Sequence, residues 1–192
     1  MIKTGAGSMS ELTLPPNPRL LADDLVYPRD TTFSVTPAPS AARFIFRGAT
    51  ASISAFGLEP PERLRASVQG GRAALWLGPD EFLLIAVGEE PDGVEDQVQQ
   101  RLEGQMFSLV DVSHRQIALI VEGRRAARCL SAGCPLDLRL GAYPVGAVAR
   151  TIFLKTEIVL WRQDEHRFHV EVWRSFAPYL VGHLAEARAG AP

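Results

Sequence analysis

The groups best equipped for chemistry stand together at residues 111–114, Asp111-Val112-Ser113-His114, where a carboxylate, a hydroxyl and an imidazole adjoin. Hydrolysis through Ser113 would require His114 to take the hydroxyl proton while an acid orients the ring. Neighbouring residues of a strand point to opposite faces, which keeps Ser113 and His114 apart. No Gly-x-Ser-x-Gly elbow surrounds the serine. The segment therefore reads as a strand end whose turn is fixed by the Asp and Ser side chains. His166 and His169, beside Asp164 and Glu165, form a second cluster of metal-ligand types. Three apart on a strand, the two imidazoles face opposite ways, so a structural role is favoured. Cys129 and Cys134 match neither Cys-x-x-Cys nor half of a zinc site. They are expected as free thiols near a helix end in a reducing cytosol.

No Gly-x-Gly-x-x-Gly follows a strand and no phosphate loop is present. A self-contained nucleotide site is not expected. Arg124, Arg125 and Arg128 share a helix face, while Arg150, Arg162 and Arg174 flank strands of the second half. Trp76 and Trp161 occupy matching places in two hairpins and read as large core fillers. Trp173 lies where a strand yields to the last helix and is the preferred interface residue. Arg174, Arg150 and His114 are the further interface candidates.

Two stretches position these groups. Residues 74–87, ALWLGPDEFLLIAV, read as a hairpin: apolar runs on either side of Gly78-Pro79-Asp80-Glu81. Both faces of the second run are apolar, as in a central strand covered on two sides. Residues 158–173, IVLWRQDEHRFHVEVW, repeat the pattern roughly 85 residues later. The order around each hairpin matches. Strand 43–47, helix 49–56, the hairpin, helix 92–103 with Val94, Val98 and Leu102 on one face, and strand 106–112 give the split βαβ, ferredoxin-like pattern. It restarts with strand 116–121, helix 124–131, strand 147–154, the second hairpin and a helix at 176–187 carrying Phe176, Leu180 and Leu184. The expected fold class is α+β, two duplicated βαββαβ-type units sharing a core.

Ahead of them, residues 1–42 contain six prolines and little periodicity, and read as an extended arm with many apolar side chains. The α+β domain covers 43–192, its first unit about 43–113 and its second about 114–188. A net charge of −2 argues against a nucleic-acid binder. No apolar run approaches the ~20 residues of a membrane span. The N-terminus lacks the apolar core of a secretory signal, so a cytoplasmic location is expected.

Residues 110–114, VDVSH, running into a strand that ends at Gly123 and then a helix, resemble the aminomethyltransferase (glycine-cleavage T-protein) family. ALWLGPDEFLLI (74–85), VDVSHRQIALIVEG (110–123), CPLDL (134–138), VARTIF (148–153) and WRSFAPYLVGHL (173–184) together look more like the gamma-subunit family of heterotetrameric sarcosine oxidase. The resemblance implies the T-protein-like folate-binding fold and an assembly with alpha, beta and delta subunits. It implies that FAD, FMN, NAD, zinc and tetrahydrofolate lie on those other subunits. Together they demethylate sarcosine oxidatively to glycine, with formaldehyde or methylenetetrahydrofolate and hydrogen peroxide as products. It places Glu157 near the position of a folate-facing Asp and Trp173 at that of an Asn. Glu157 keeps a carboxylate, whereas Trp173 keeps neither the size nor the amide. Both are expected as remnants of a folate pocket, with no catalytic and no metal residue in the chain. The competing expectation is a free-standing folate-type small-molecule binder in which Glu157 holds the pterin.

Overall fold

The computed structural model of the chain describes residues 32–190. Most of the expected arm, residues 1–31, lies outside the described residues. Its last stretch is corrected: Ser34–Pro37 is a strand, β1, and Ala41–Arg47 is the next, β2. A 3-10 helix at Thr50–Phe56 follows, then β3 (Ala66–Gln69), β4 (Arg72–Gly78), β5 (Glu81–Val87), helix α1 (Pro91–Arg101) and β6 (Ser108–Asp111). The second unit runs β7 (Gln116–Glu122), α2 (Ala126–Ser131), β8 (Val148–Phe153), β9 (Thr156–Asp164), β10 (Arg167–Trp173) and α3 (Ala177–Gly190).

Two five-stranded sheets result, in the orders β3-β4-β5-β2-β6 and β8-β9-β10-β7-β1. Position by position they are the same sheet. Each is a ferredoxin-like order with one extra edge strand, β3 or β8, and every pairing is antiparallel. The strand that would close the second unit is β1, which precedes the first. Residues 34–37 thus belong to the sheet of the second unit, pairing along β7 from Ser34↔Glu122 to Pro37↔Leu119. Gly123 makes room for that return: a Cβ there would lie 2.5 Å from the Thr32 carbonyl oxygen, and its φ is +116°. Strand β3 has no counterpart among the expected elements. It turns into β4 through Gly70-Gly71, both at positive φ, the signature of a tight primed turn.

Alternation within the strands divides the core into three layers. Phe44, Phe46, Phe82 and Leu84 pack under the 3-10 helix and α1, where Val94, Val98 and, just past the helix end, Leu102 are buried as the stripe predicts. Leu119, Val121, Leu160, Phe168 and Val170 pack under α2 and α3. Between the sheets, Leu75, Leu83 and Ile85 meet Val148, Val159 and Trp161. The molecule is a helix–sheet–sheet–helix sandwich. Phe176 departs from expectation: it sits in a 3-10 turn before α3 and is 42% exposed, outside the face of Leu180 and Leu184.

Trp76 and Trp161 are not equivalent either. Trp76 faces Phe82 on the outer layer of its hairpin, whereas Trp161 pairs with His169 on the inner one. The residue that faces Phe168, and so matches Trp76, is Arg162. Its buried guanidinium lies 4.6 Å over the Phe168 ring and donates to the carbonyls of Tyr143 and Leu138, at 2.6 and 3.1 Å, pinning the loop before β8.

Candidate functional site

The layer between the sheets holds the polar centre of the molecule. Arg43, inward from β2, donates Nε–H to both oxygens of Glu171 at 3.0 and 2.9 Å. Its Nη1 donates to the Ala41 carbonyl at 3.0 Å. His169 Nε2 stands 2.8 Å from Glu171 Oε1. All three side chains are buried. Burial alone would raise the Glu171 carboxyl; the hydrogen bond from His169 and the Arg43 charge outweigh it and hold the group below the ordinary carboxylate range. The network ties the two units across 128 positions of sequence.

Toward one end of the strands this layer opens as a cavity of about 230 Å³, with Arg43, Trp161 and His169 among its walls. The Trp161 and His169 rings are 5.5 Å apart. At the other end is a groove of about 320 Å³, where Val110, Val112, Val159, Arg115, Arg150, Glu157 and Trp173 converge. Trp173 is 42% exposed, with the Arg115 guanidinium 5.0 Å over its ring. Arg150 crosses to the opposite sheet and pairs with Glu81, which also accepts from Arg47 at 3.1 Å. The Arg150 hydrogen bond is the main reason the Glu81 carboxyl lies below its ordinary range.

Three of the residues singled out in the sequence, Glu157, Trp173 and Arg150, therefore meet in one groove. His114 and Arg174 line an adjoining one of about 540 Å³ that shares Gln116 with it. Ser113 turns away from chemistry. Its Oγ bonds Asp111 Oδ1, whose other donor is the Ser113 N–H at 2.8 Å, and it accepts the Arg43 N–H at 2.9 Å. The DVSH segment fastens the start of the second unit to β2. His166 is exposed in the β9–β10 turn and His169 is buried, so the two do not converge. Among the described residues no group of three or more His, Cys, Asp or Glu is placed to hold a metal. Cys129 and Cys134 are free and buried, and burial pushes both thiols up.

Sequence reasoning missed the Arg43–Glu171 pair. The available signal was charge at strict alternation inside strands that are apolar on both sides: Arg43 with Ile45, and His169 and Glu171 between Phe168, Val170 and Val172.

This double sandwich is the fold of the aminomethyltransferase T-proteins. The glycine-cleavage aminomethyltransferase T of Bartonella henselae superposes with TM-score 0.63 over 80% of this chain and 45% of that one, at 13% identity, a likeness of fold. The chain belongs to the sarcosine oxidase, gamma subunit family, whose model matches residues 40–190. It is 31% identical over 159 residues to sarcosine oxidase subunit gamma of Arthrobacter sp, covering 82% of this chain and 75% of that protein. The subunit gamma of Corynebacterium sp. (strain U-96) is 35% identical over 117 residues, 61% of this chain and 56% of that protein's length. A chain of the heterotetrameric sarcosine oxidase from Corynebacterium sp. U-96, solved in complex with pyrrole 2-carboxylate, superposes with TM-score 0.77 at 26% identity, covering 88% of this chain and 90% of that one. No helix among the described residues is long and apolar enough to cross a membrane.

Proposed function

We propose that this chain is a non-catalytic gamma subunit that packs on the flavin-bearing subunits of a heterotetrameric enzyme demethylating sarcosine oxidatively, in the cytoplasm. The observation that carries the reading is the likeness to a chain of such a heterotetramer over nearly the full described length. The partners are the alpha, beta and delta subunits, and FAD, FMN, NAD, zinc and tetrahydrofolate sit on them. The docking face is the groove of Trp173, together with Val110, Arg150 and the adjoining Arg174 and His114. Half-exposed Trp173 and Val110 give it the aromatic and aliphatic character of an interface core.

This reading leaves tetrahydrofolate off the same groove. Its volume is at the lower limit of about 300–1,000 Å³ for sites that enclose drug-sized ligands. Glu157 is solvent-exposed, and the amide expected opposite it is replaced by an indole already engaged by Arg115. The test is co-expression with the large subunits. The reading expects the chain to co-purify with a sarcosine-oxidising complex and to have no turnover alone. Elution apart from the large subunits, or oxidation of sarcosine by the isolated chain, contradicts it.

A further inference from the structure

The duplication exposes a place where the second unit is left unfinished. β6 and β1 are equivalent edge strands, and each covers only the later half of its neighbour: β6 pairs with Phe44–Arg47 of β2, and β1 with Leu119–Glu122 of β7. One residue further, the Val112 N–H donates to the Arg43 carbonyl at 2.8 Å, and in the matching place the Ala38 N–H donates to the Ala118 carbonyl at 2.9 Å. Beyond that point the units differ. In the first, Ser113 Oγ accepts the Arg43 N–H at 2.9 Å, and Arg43 Nη1 donates to the Ala41 carbonyl at 3.0 Å. In the second, Pro39 stands in the place of Ser113 and Ala118 in that of Arg43, so neither cap exists.

The N–H and C=O of one strand residue point to the same side. The Ala118 carbonyl is bonded toward β1, so the Ala118 N–H faces that side too. Both backbone groups of Gln116 do likewise, and its N–H is held by the Val112 carbonyl at 3.0 Å. The Gln116 carbonyl and the Ala118 N–H remain, an acceptor and a donor two residues apart, with no hydrogen bond to either among the described residues. An antiparallel strand needs both groups of a single residue, and here one of each is taken. A strand parallel to β7 needs this set, because one of its residues bonds the C=O before and the N–H after the residue it faces.

Both residues line the groove of about 540 Å³. Two side chains there are equally incomplete. Gln116 is more than nine-tenths buried, and its Oε1 has no partner among the described residues. Arg174 Nε is buried without one as well, and its guanidinium forms no ion pair there. Arg43 is paired with Glu171 and Glu89 with Arg72, while Glu90 is solvent-exposed. Arg174 therefore calls for a carboxylate from outside. Buried polar atoms of folded chains are nearly always paired, so this concentration marks a contact that another chain completes.

We propose that an extended, acidic segment of a large subunit adds to β7 at this half-edge, parallel to it. One of its residues donates N–H to the Gln116 carbonyl and accepts the Ala118 N–H on its own carbonyl, and a neighbouring carboxylate pairs with Arg174. The groove shares Gln116 with the Trp173 groove, so the segment extends the docking face, and the inference rests on that reading. Residues 1–31 join at the other end of β7, where Thr32 lies against Gly123, which favours a partner's segment.

The test is hydrogen exchange at single-residue resolution on the unmodified chain, alone and in its purified complex with the large subunits. Alone, the Ala118 N–H should exchange faster than those of Ile117 and Leu119, which face β10. In the complex it should slow by about tenfold or more. Arg174→Gln should weaken association about tenfold with an unchanged melt, and Arg174→Lys should recover part of the loss. Unchanged exchange at Ala118 in a formed complex, or full affinity of a folded Arg174→Gln chain, overturns the inference and leaves the docking reading standing. Failure of the complex to form overturns both. Protection of Ala118 in the chain alone that disappears on removal of residues 1–31 assigns the edge to the chain's own arm and also overturns the inference.

Discussion

The two ends of the inter-sheet layer are built from the same strands and differ in kind. At the Trp161 end a small cavity is lined by Arg43 and His169, both held by Glu171. At the Trp173 end Arg150 is spent on Glu81 and Arg115 on the indole, while the buried Gln116 Oε1 has no hydrogen-bond partner among the described residues. Around them lie exposed apolar surface and one solvent-facing carboxylate, Glu157. A sandwich of two duplicated sheets makes both openings at once, because β2, β4, β5, β7, β9 and β10 each contribute one end to each. The side chains that fall at either end then set how the two openings differ.

The sharpest way to break this contrast is to remove the network that separates the ends. Glu171→Ala leaves Arg43 buried without its counter-charge and should destabilise the chain by about 3–5 kcal/mol, read as a fall in the urea midpoint. Next in size, Trp173→Ala should leave the unfolding midpoint nearly unchanged while weakening association with the large subunits by about 2–4 kcal/mol, measured on the purified complex. Equal loss of stability in both variants would erase the distinction between the ends.

Acid sharpens it further. The folded-state value of Glu171 is depressed, so its contribution is fully present above the ordinary carboxylate range and is lost as pH falls through the folded value. Stability measured on descent below about pH 4 should fall, and Glu171→Gln should flatten that limb. The smallest effect belongs to Arg150→Ala. Its pair with Glu81 lies partly in solvent at the open groove and is worth about 0.2–1 kcal/mol, small enough that only a precise denaturation series resolves it.

The local half of this architecture was legible in the residues. Alternation and turn chemistry placed both hairpins, the stripe of Val94, Val98 and Leu102 placed α1, and the repeated order revealed the duplication. What escaped was set by pairing across the chain. Ser34–Pro37 reads as a proline-bounded tail until β7 is there to receive it, and Ala66–Gln69 is too short to stand out without β4. Trp76 and Trp161 look equivalent in sequence, but strand register sends them to opposite faces, and Arg162 takes the matching place. The resemblance pairs Glu157 with Trp173, Arg150 stands apart from them in sequence, and three strand ends bring all of them into one groove. Arg43 and Glu171 each resemble an ordinary surface charge; only the stacking of the two sheets turns them into a buried pair.

The central claim is that the Trp173 face holds the chain in a larger oxidase. The most direct measurement is co-purification of the Trp173→Glu chain, against the unmodified chain, with the co-expressed large subunits, alongside a thermal melt of each chain alone. The account expects the unmodified chain to co-elute with sarcosine-oxidising activity and the variant to be lost from the complex while melting normally. Retention of a normally folded Trp173→Glu chain in the complex at full stoichiometry would contradict it.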